Sequence, residues 1–134
     1  MVLWLVLGAL ATVIPPAEGE HEVDHRYVVL GYVRDVTGRP VAGQRVEVVR
    51  ERTGLAYRAE TDASGFYVAI AHLHDEDVLD GLRVTAGRAM IRIEARFNPT
   101  DPKTPRGTRL DFTAAAARER PEAFADTLAN LLKR

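Results

Sequence analysis

Cysteine is absent from the 134-residue chain, which excludes disulfides, thiolate metal ligands, a cysteine nucleophile and a lipidated cysteine anchor. Lysine occurs only at Lys103 and Lys133, and serine occurs only at Ser64. Ser64 lies in a predicted turn with no histidine nearby in the sequence, so it gives little support to a serine hydrolase. We therefore predict a protein without catalytic residues, and a hydrolase is the weaker interpretation.

A strong excess of charge is also lacking, because 18 basic and 19 acidic residues give a formal net charge of −1. Proteins that bind DNA or RNA usually concentrate Lys and Arg on one surface. Here the two signs are interspersed along the chain, and we predict no nucleic-acid partner. Apolar residues make up 46% of the sequence, which is enough to build a core and argues against general disorder.

The uncharged apolar stretch at residues 2–14 is shorter than the roughly 20 residues that span a bilayer. Its length suits the apolar part of a secretory signal, although no Lys or Arg precedes it. Two prolines follow and end any helix, and the small residues Ala17 and Gly19 suit cleavage before Glu20. We predict a signal peptide or anchor over residues 1–19, in preference to an apolar strand or a membrane-tethering helix.

This leader predicts an extracytoplasmic protein, either periplasmic or secreted. We expect membrane contact only through the N-terminal segment, and only if that segment is not cleaved. The single tryptophan, Trp4, lies in the leader, so a processed protein would contain none.

Short runs rich in Val, Ile and aromatic residues follow the leader and alternate with turn residues such as Gly38, Pro40 and Gly65. Such runs at intervals of about eight to twelve residues are typical of a β-sandwich. We predict an all-β fold of about seven strands with Greek-key connections, transthyretin-like or immunoglobulin-like, over residues 20–113. The predicted strands cover residues 27–35, 41–50, 55–61, 66–73, 82–85, 89–97 and 110–112.

Residues 114–134 form a predicted helical tail. Residues 114–120 are helix-prone, and an amphipathic helix is expected after Pro121, which suits a first helical turn. We expect this helix to pack on its own sandwich, because a short isolated helix is marginal in water. A partner protein or a membrane surface is the alternative. The predicted apolar stripe consists of Phe124, Leu128, Leu131 and Leu132.

Three segments, GYVRDVTGRPVAGQRVEVV (31–49), TDASGFYV (61–68) and LRVTAG (82–87), occur in an order that resembles the carboxypeptidase regulatory-like domain, a transthyretin-like (prealbumin-like) β-sandwich family. The resemblance covers about residues 27–97. The matching positions are Gly31, Val33, Asp35, Gly38, Pro40, Val41, Gly43, Val46, Val48, Thr61, Asp62, Gly65 and Tyr67.

The resemblance implies a non-catalytic module that accompanies enzymes, receptors or surface proteins, and hence a protein partner in the cell envelope. Glycine and aspartate at these positions suit tight turns. Two active groups of similar fold fit poorly. The chain ends Leu-Leu-Lys-Arg rather than in the Tyr-Arg-Gly-Ser type of motif expected of a hydroxyisourate hydrolase. Its two lysines are badly placed for the crosslink of a pilin-like isopeptide domain.

The segment HLHDED (72–77) is the main candidate for a site. His72 and His74 differ by two positions, so on a strand they point to the same side, and imidazole pairs suit copper or zinc. Asp75, or one of the two acidic residues after it, could supply a third ligand. His21 and His25 could add further ligands if the N-terminal end runs alongside. We predict a divalent-metal site from these residues as the alternative function.

The simpler interpretation is that His72 ends an apolar strand and that the acidic residues form a solvated loop. An iron site of tyrosines and histidines, as in some dioxygenases of sandwich fold, is a further alternative that no spacing favours. Its tyrosines would come from Tyr27, Tyr32, Tyr57 and Tyr67.

Overall fold

The computed structural model describes residues 25–134, so the predicted leader (1–19) and His21 lie outside the described residues. The described chain is mostly β, with two four-stranded sheets that share one apolar core. The strands are β1 (Arg26–Arg34), β2 (Arg45–Arg50), β3 (Ala56–Glu60), β4 (Phe66–His72), β5 (Gly81–Ala86), β6 (Ala89–Glu94), β7 (Gly107–Thr113) and β8 (Ala116–Glu119).

The first sheet has the strand order β4-β1-β7-β8 and the second has the order β3-β2-β5-β6. All pairs are antiparallel except β1 and β7, which run parallel with Val28 opposite Gly107 and Val33 opposite Phe112. The all-β prediction of two sheets is therefore confirmed at the level of architecture.

The described residues contain eight strands rather than about seven. The additional strand is β8, where the prediction of a helix-prone stretch at residues 114–120 was wrong. Ala114 adopts a left-handed φ of 54° in a tight turn that reverses the chain onto β7. Pairing of β8 with β7, supported by a 2.8 Å hydrogen bond from Thr108 to the Glu119 carboxylate, outweighs the helix propensity of alanine.

The core lies between the sheets and follows the alternation expected for strands with one buried face. On β6, Ala89 and Ile93 are buried and Ile91 is half-buried, whereas Met90 and Arg92 are exposed. The largest fully buried side chains are Tyr27, Tyr67, Phe112, Leu30, Leu73, Leu82 and Leu110.

Helix α1 (Phe124–Leu132) follows a 3-10 turn at Pro121–Ala123 and covers the outer face of the first sheet. Phe124 packs against Leu30 and Phe66 in a second apolar cluster. Strand β1 is consequently buried on both faces, by the sandwich core on one side and by α1 on the other. Leu132, the last member of the predicted stripe, is instead 75% exposed.

None of the helices within residues 25–134 is both long enough and apolar enough to cross a membrane.

Candidate functional site

The polar residues among the positions that resemble the carboxypeptidase regulatory-like domain stabilise the local chain. One carboxylate oxygen of Asp35 accepts hydrogen bonds from the Thr37 hydroxyl (2.6 Å) and from the main-chain N–H groups of Thr37 (2.8 Å) and Arg39 (3.0 Å). These bonds, led by that from the Thr37 hydroxyl, hold the pKa of Asp35 below its usual value. Asp62 accepts in the same way from the N–H groups of Ser64 (2.8 Å) and Phe66 (3.0 Å).

Thr61 joins the chain before β2 to the end of β3. Its hydroxyl donates to the carbonyl oxygen of Val41 at 2.6 Å and accepts from the N–H of Gln44 at 2.8 Å. Ser64 is exposed in its turn. The described geometry therefore accounts for Asp35, Thr61 and Asp62 through bonds that shape the chain.

Two of the four tyrosines considered for an iron site are core residues. Burial raises the pKa values of both Tyr27 and Tyr67 well above the usual value, which opposes formation of a phenolate ligand. The Tyr67 hydroxyl already donates to the carbonyl oxygen of Leu110. Tyr57 approaches the histidines, with its hydroxyl 3.5 Å from the carbonyl oxygen of His72.

Three of the predicted histidines lie together at one end of the first sheet. His72 is the last residue of β4, and the N–H of Leu73 donates to the carbonyl oxygen of His25 at 2.8 Å. This bond continues the antiparallel pairing of β1 with β4 by one step beyond Arg26 and His72. It aligns the residue before β1 with the residues that follow β4, as the sequence hypothesis required.

The three imidazole rings are close neighbours, and we call His25, His72 and His74 the histidine cluster. Ring centres are 5.3 Å apart for His25 and His72, 4.4 Å for His25 and His74, and 4.8 Å for His72 and His74. His72 and His74 are exposed, whereas His25 is half-buried. The Nδ1 atom of His25 is buried and has no hydrogen-bond partner.

The acidic residues of HLHDED point to other partners. Asp75 accepts a 2.9 Å bond from Arg106, whose buried guanidinium also lies 4.3 Å from the centre of the Phe97 ring. Asp77 accepts from the main-chain N–H of His74 at 2.8 Å and from Arg52 at 2.6 Å. The structure thus brings together three of the five predicted metal ligands, places Asp75 against Arg106, and leaves His21 undescribed.

As the side chains stand, no group of three or more His, Cys, Asp or Glu residues in residues 25–134 is arranged to hold a metal ion. The rings of the histidine cluster are inclined to one another by 57° to 87°.

Sequence reasoning missed the roles of two buried arginines. Arg50 is 6% exposed and its guanidinium lies 2.9 Å from Asp80 and 3.3 Å from Asp77. Arg106 is 8% exposed and holds Asp75. Arginine is rarely buried without a carboxylate partner, but no sequence spacing links these pairs, which are 25 or more positions apart.

An apolar groove borders α1 on the first sheet. It lies between Pro105 and the helix residues Leu128 and Leu132, and we call it the helix groove. It comprises two hollows of about 240 Å³ and 170 Å³ that share these three residues. A separate cleft of about 410 Å³ at one end of the sandwich is lined by Val33, Val41, Ala86 and other residues.

No protein-family model matches the chain. No curated protein matches it either. Among solved structures, the chain is similar to the dioxygenase domain of a dioxygenase–carbohydrate-binding protein fusion from the cellulolytic bacterium Streptomyces sp. SirexAA-E. The identity is 17%, the match covers 71% of this chain and 84% of that chain, and the TM-score is 0.45. A similarity this distant does not indicate an activity for the present chain.

Proposed function

We propose that the protein is a non-catalytic, exported accessory module of the carboxypeptidase regulatory-like type, with Greek-key connections in its sandwich, that binds a protein partner in the cell envelope. The observation that carries this proposal is the use of the family-like polar residues. The side-chain oxygens of Asp35, Thr61 and Asp62 all bond to nearby main-chain groups. Residues used in this way support a scaffold rather than a reaction centre.

The helix groove is the surface that best suits a partner. Its larger hollow is lined mainly by apolar side chains of α1, including Phe124 and Leu128. Leu132 projects beside it with 75% of its surface exposed. Exposed apolar groups that line a groove favour association with another protein, because binding removes them from water.

The test compares two substitutions of matched chemistry in the full chain. Leu132→Glu places a charge beside the helix groove, whereas Met90→Glu places one on the exposed side of β6, in the other sheet, where Met90 is 61% exposed. Each tagged variant is expressed in its native host. Proteins that co-purify from the cell-envelope fraction are then quantified.

We expect a partner at constant stoichiometry with wild type and with Met90→Glu, and its loss with Leu132→Glu at an unchanged melting temperature. Equal recovery with both variants would contradict the groove as the binding surface. The absence of any stoichiometric partner from the wild-type preparation would contradict the interaction role itself.

A further inference from the structure

We propose that His25, His72 and His74 form a three-imidazole site for one divalent copper or zinc ion. The site goes beyond the interaction role and does not depend on it. It differs from the ligand set expected from the sequence, because Asp75 is not a member and His21 is not required.

The first argument is the spacing of the rings. With a metal–nitrogen distance of about 2.0–2.1 Å, the centres of two imidazoles on one tetrahedral ion lie roughly 5 Å apart. The three observed separations of 4.4, 4.8 and 5.3 Å bracket this value. The main chain therefore already places the rings at the separations that shared coordination requires.

The second argument is the unpaired nitrogen of His25. A buried polar atom is normally hydrogen-bonded, and one without a partner calls for an explanation. The Nδ1 atom of His25 is such an atom. It belongs to the ring that lies within 5.3 Å of both other histidines. A bound cation would satisfy this nitrogen directly.

The third argument concerns what must move. As the side chains stand, the three histidines do not form a group that could hold a metal ion, so binding needs rotation of the rings about their Cβ–Cγ bonds. This torsion of histidine has a broad range of allowed values. His72 and His74 are exposed and have room to turn. The site therefore forms by adjustment of two surface rings around the more buried His25.

The chemistry of the donors selects the ion. Imidazole suits copper and zinc, whereas calcium and magnesium prefer oxygen ligands. Two of the three carboxylates of HLHDED are engaged elsewhere, since Asp75 binds Arg106 and Asp77 binds Arg52. On a four-coordinate ion, three neutral nitrogen ligands leave one position for water. The order of affinities for divalent metals places copper(II) ahead of zinc.

The experiment titrates copper(II) and zinc separately into the metal-free full chain by calorimetry at pH 7.5 in a weakly coordinating buffer, with calcium as the control ion. We expect one copper or zinc ion per chain, with a dissociation constant below about 1 μM, and no calcium binding. His25→Gln, His72→Gln and His74→Gln should each weaken binding at least tenfold. Asp75→Asn and His21→Gln should change it less than twofold.

Melting curves of the metal-free variants are recorded alongside, so that a folding defect is not taken for the loss of a ligand. The copper(II) electron paramagnetic resonance spectrum of the wild type should show coupling to about three nitrogens, and each histidine variant should show fewer. Wild-type affinity weaker than about 1 μM, or affinity that survives His25→Gln, would overturn the proposal.

Discussion

The hydroxyl of Tyr67 donates a 2.7 Å hydrogen bond to the main-chain carbonyl oxygen of Leu110 inside the core. Both residues are at most 1% exposed, and the bond ties β4 to β7, which are not adjacent in the first sheet. Burial raises the pKa of Tyr67, so the phenol remains protonated and able to donate across the working pH range.

Substitution Tyr67→Phe should lower the free energy of unfolding by about 1–3 kcal/mol, because it leaves a buried carbonyl oxygen without this donor. Urea denaturation followed by circular dichroism measures the change. The matched control is Tyr32→Phe. Tyr32 is half-buried and its ring contacts Arg34 and Arg109, which a phenylalanine ring would retain. Equal losses for the two variants would contradict a role for the Tyr67 bond.

Gly38 and Gly65, two of the positions that resemble the carboxypeptidase regulatory-like domain, should differ in their tolerance of alanine. Both adopt left-handed φ values, +87° at Gly38 and +77° at Gly65. A Cβ atom at Gly38 would meet nothing within 4 Å, whereas one at Gly65 would lie 2.5 Å from the carbonyl oxygen of Val33. Gly38→Ala should therefore cost roughly 1–2 kcal/mol from the conformation alone.

Gly65→Ala should cost about 1–3 kcal/mol more, because the main chain must shift to relieve the contact. The midpoints of thermal or urea unfolding of the two variants give the comparison. A Gly65→Ala protein as stable as Gly38→Ala would show that the hairpin can move away from Val33.

Asp77 should govern part of the acid stability. Burial raises the pKa of Asp77, but the N–H of His74 and the cationic groups of Arg50 and Arg52 outweigh it, and the net pKa is lowered. Because the folded pKa lies below the unfolded value of about 3.9, the stabilisation is complete above that value. It is lost as the pH falls through the folded pKa.

Substitution Asp77→Asn should destabilise the protein by about 1–3 kcal/mol at pH 7, because the buried Arg50 loses one of its two carboxylates and keeps Asp80 at 2.9 Å. Arg52 is 60% exposed, so Arg52→Ala should cost at most about 1 kcal/mol. Unfolding free energies measured between pH 7 and pH 2 should fall less steeply for Asp77→Asn than for the wild type. Parallel pH profiles would show that Asp77 is not the responsible group.

Helix α1 should contribute to the stability of the sandwich through Phe124, which is 6% exposed. Phe124→Ala should cost about 3 kcal/mol, whereas Leu132→Ala should cost less than about 0.5 kcal/mol. Removal of residues 121–134 should lower the melting temperature, because the outer face of β1 would lose its cover. An unchanged melting temperature after truncation would mean that the helix adds nothing to the fold.

Cleavage of the predicted leader would have an optical consequence. Because Trp4 is the single tryptophan, protein recovered from outside the cytoplasm should show tyrosine emission but no indole emission. Its intact mass should match that of a chain that begins at Glu20. Strong tryptophan emission from that protein would show that residues 1–19 are retained.

Much of the sandwich could be predicted from local patterns. Valine alternation and turn residues located seven strands, because each strand has one face that must be apolar and ends where Gly or Pro interrupts pairing. The strand β8 was missed because its residues, Ala116–Glu119, favour a helix when considered alone. Its conformation is fixed by pairing with β7, which local sequence does not reveal.

The histidine cluster was predictable only in part. The spacing of His72 and His74 indicated that their rings would be neighbours, and the structure places them 4.8 Å apart. Addition of His25 depended on whether the chain before β1 runs beside the end of β4. The engagement of Asp75 by Arg106, 31 positions away, depends on the tertiary fold and has no local signal.

The parallel pairing of β1 with β7 joins the first and nearly the last strand of the described chain, and the bond from the Tyr32 N–H to Asp111 spans 79 positions. Chains dominated by such distant pairings fold slowly, over about milliseconds to seconds, because a long loop must close before any contact repays its entropy. The central strand β1 therefore gains its neighbour β7 only after most of the described chain has been synthesised, and until then the edge of β1 that pairs with β7 has no strand beside it.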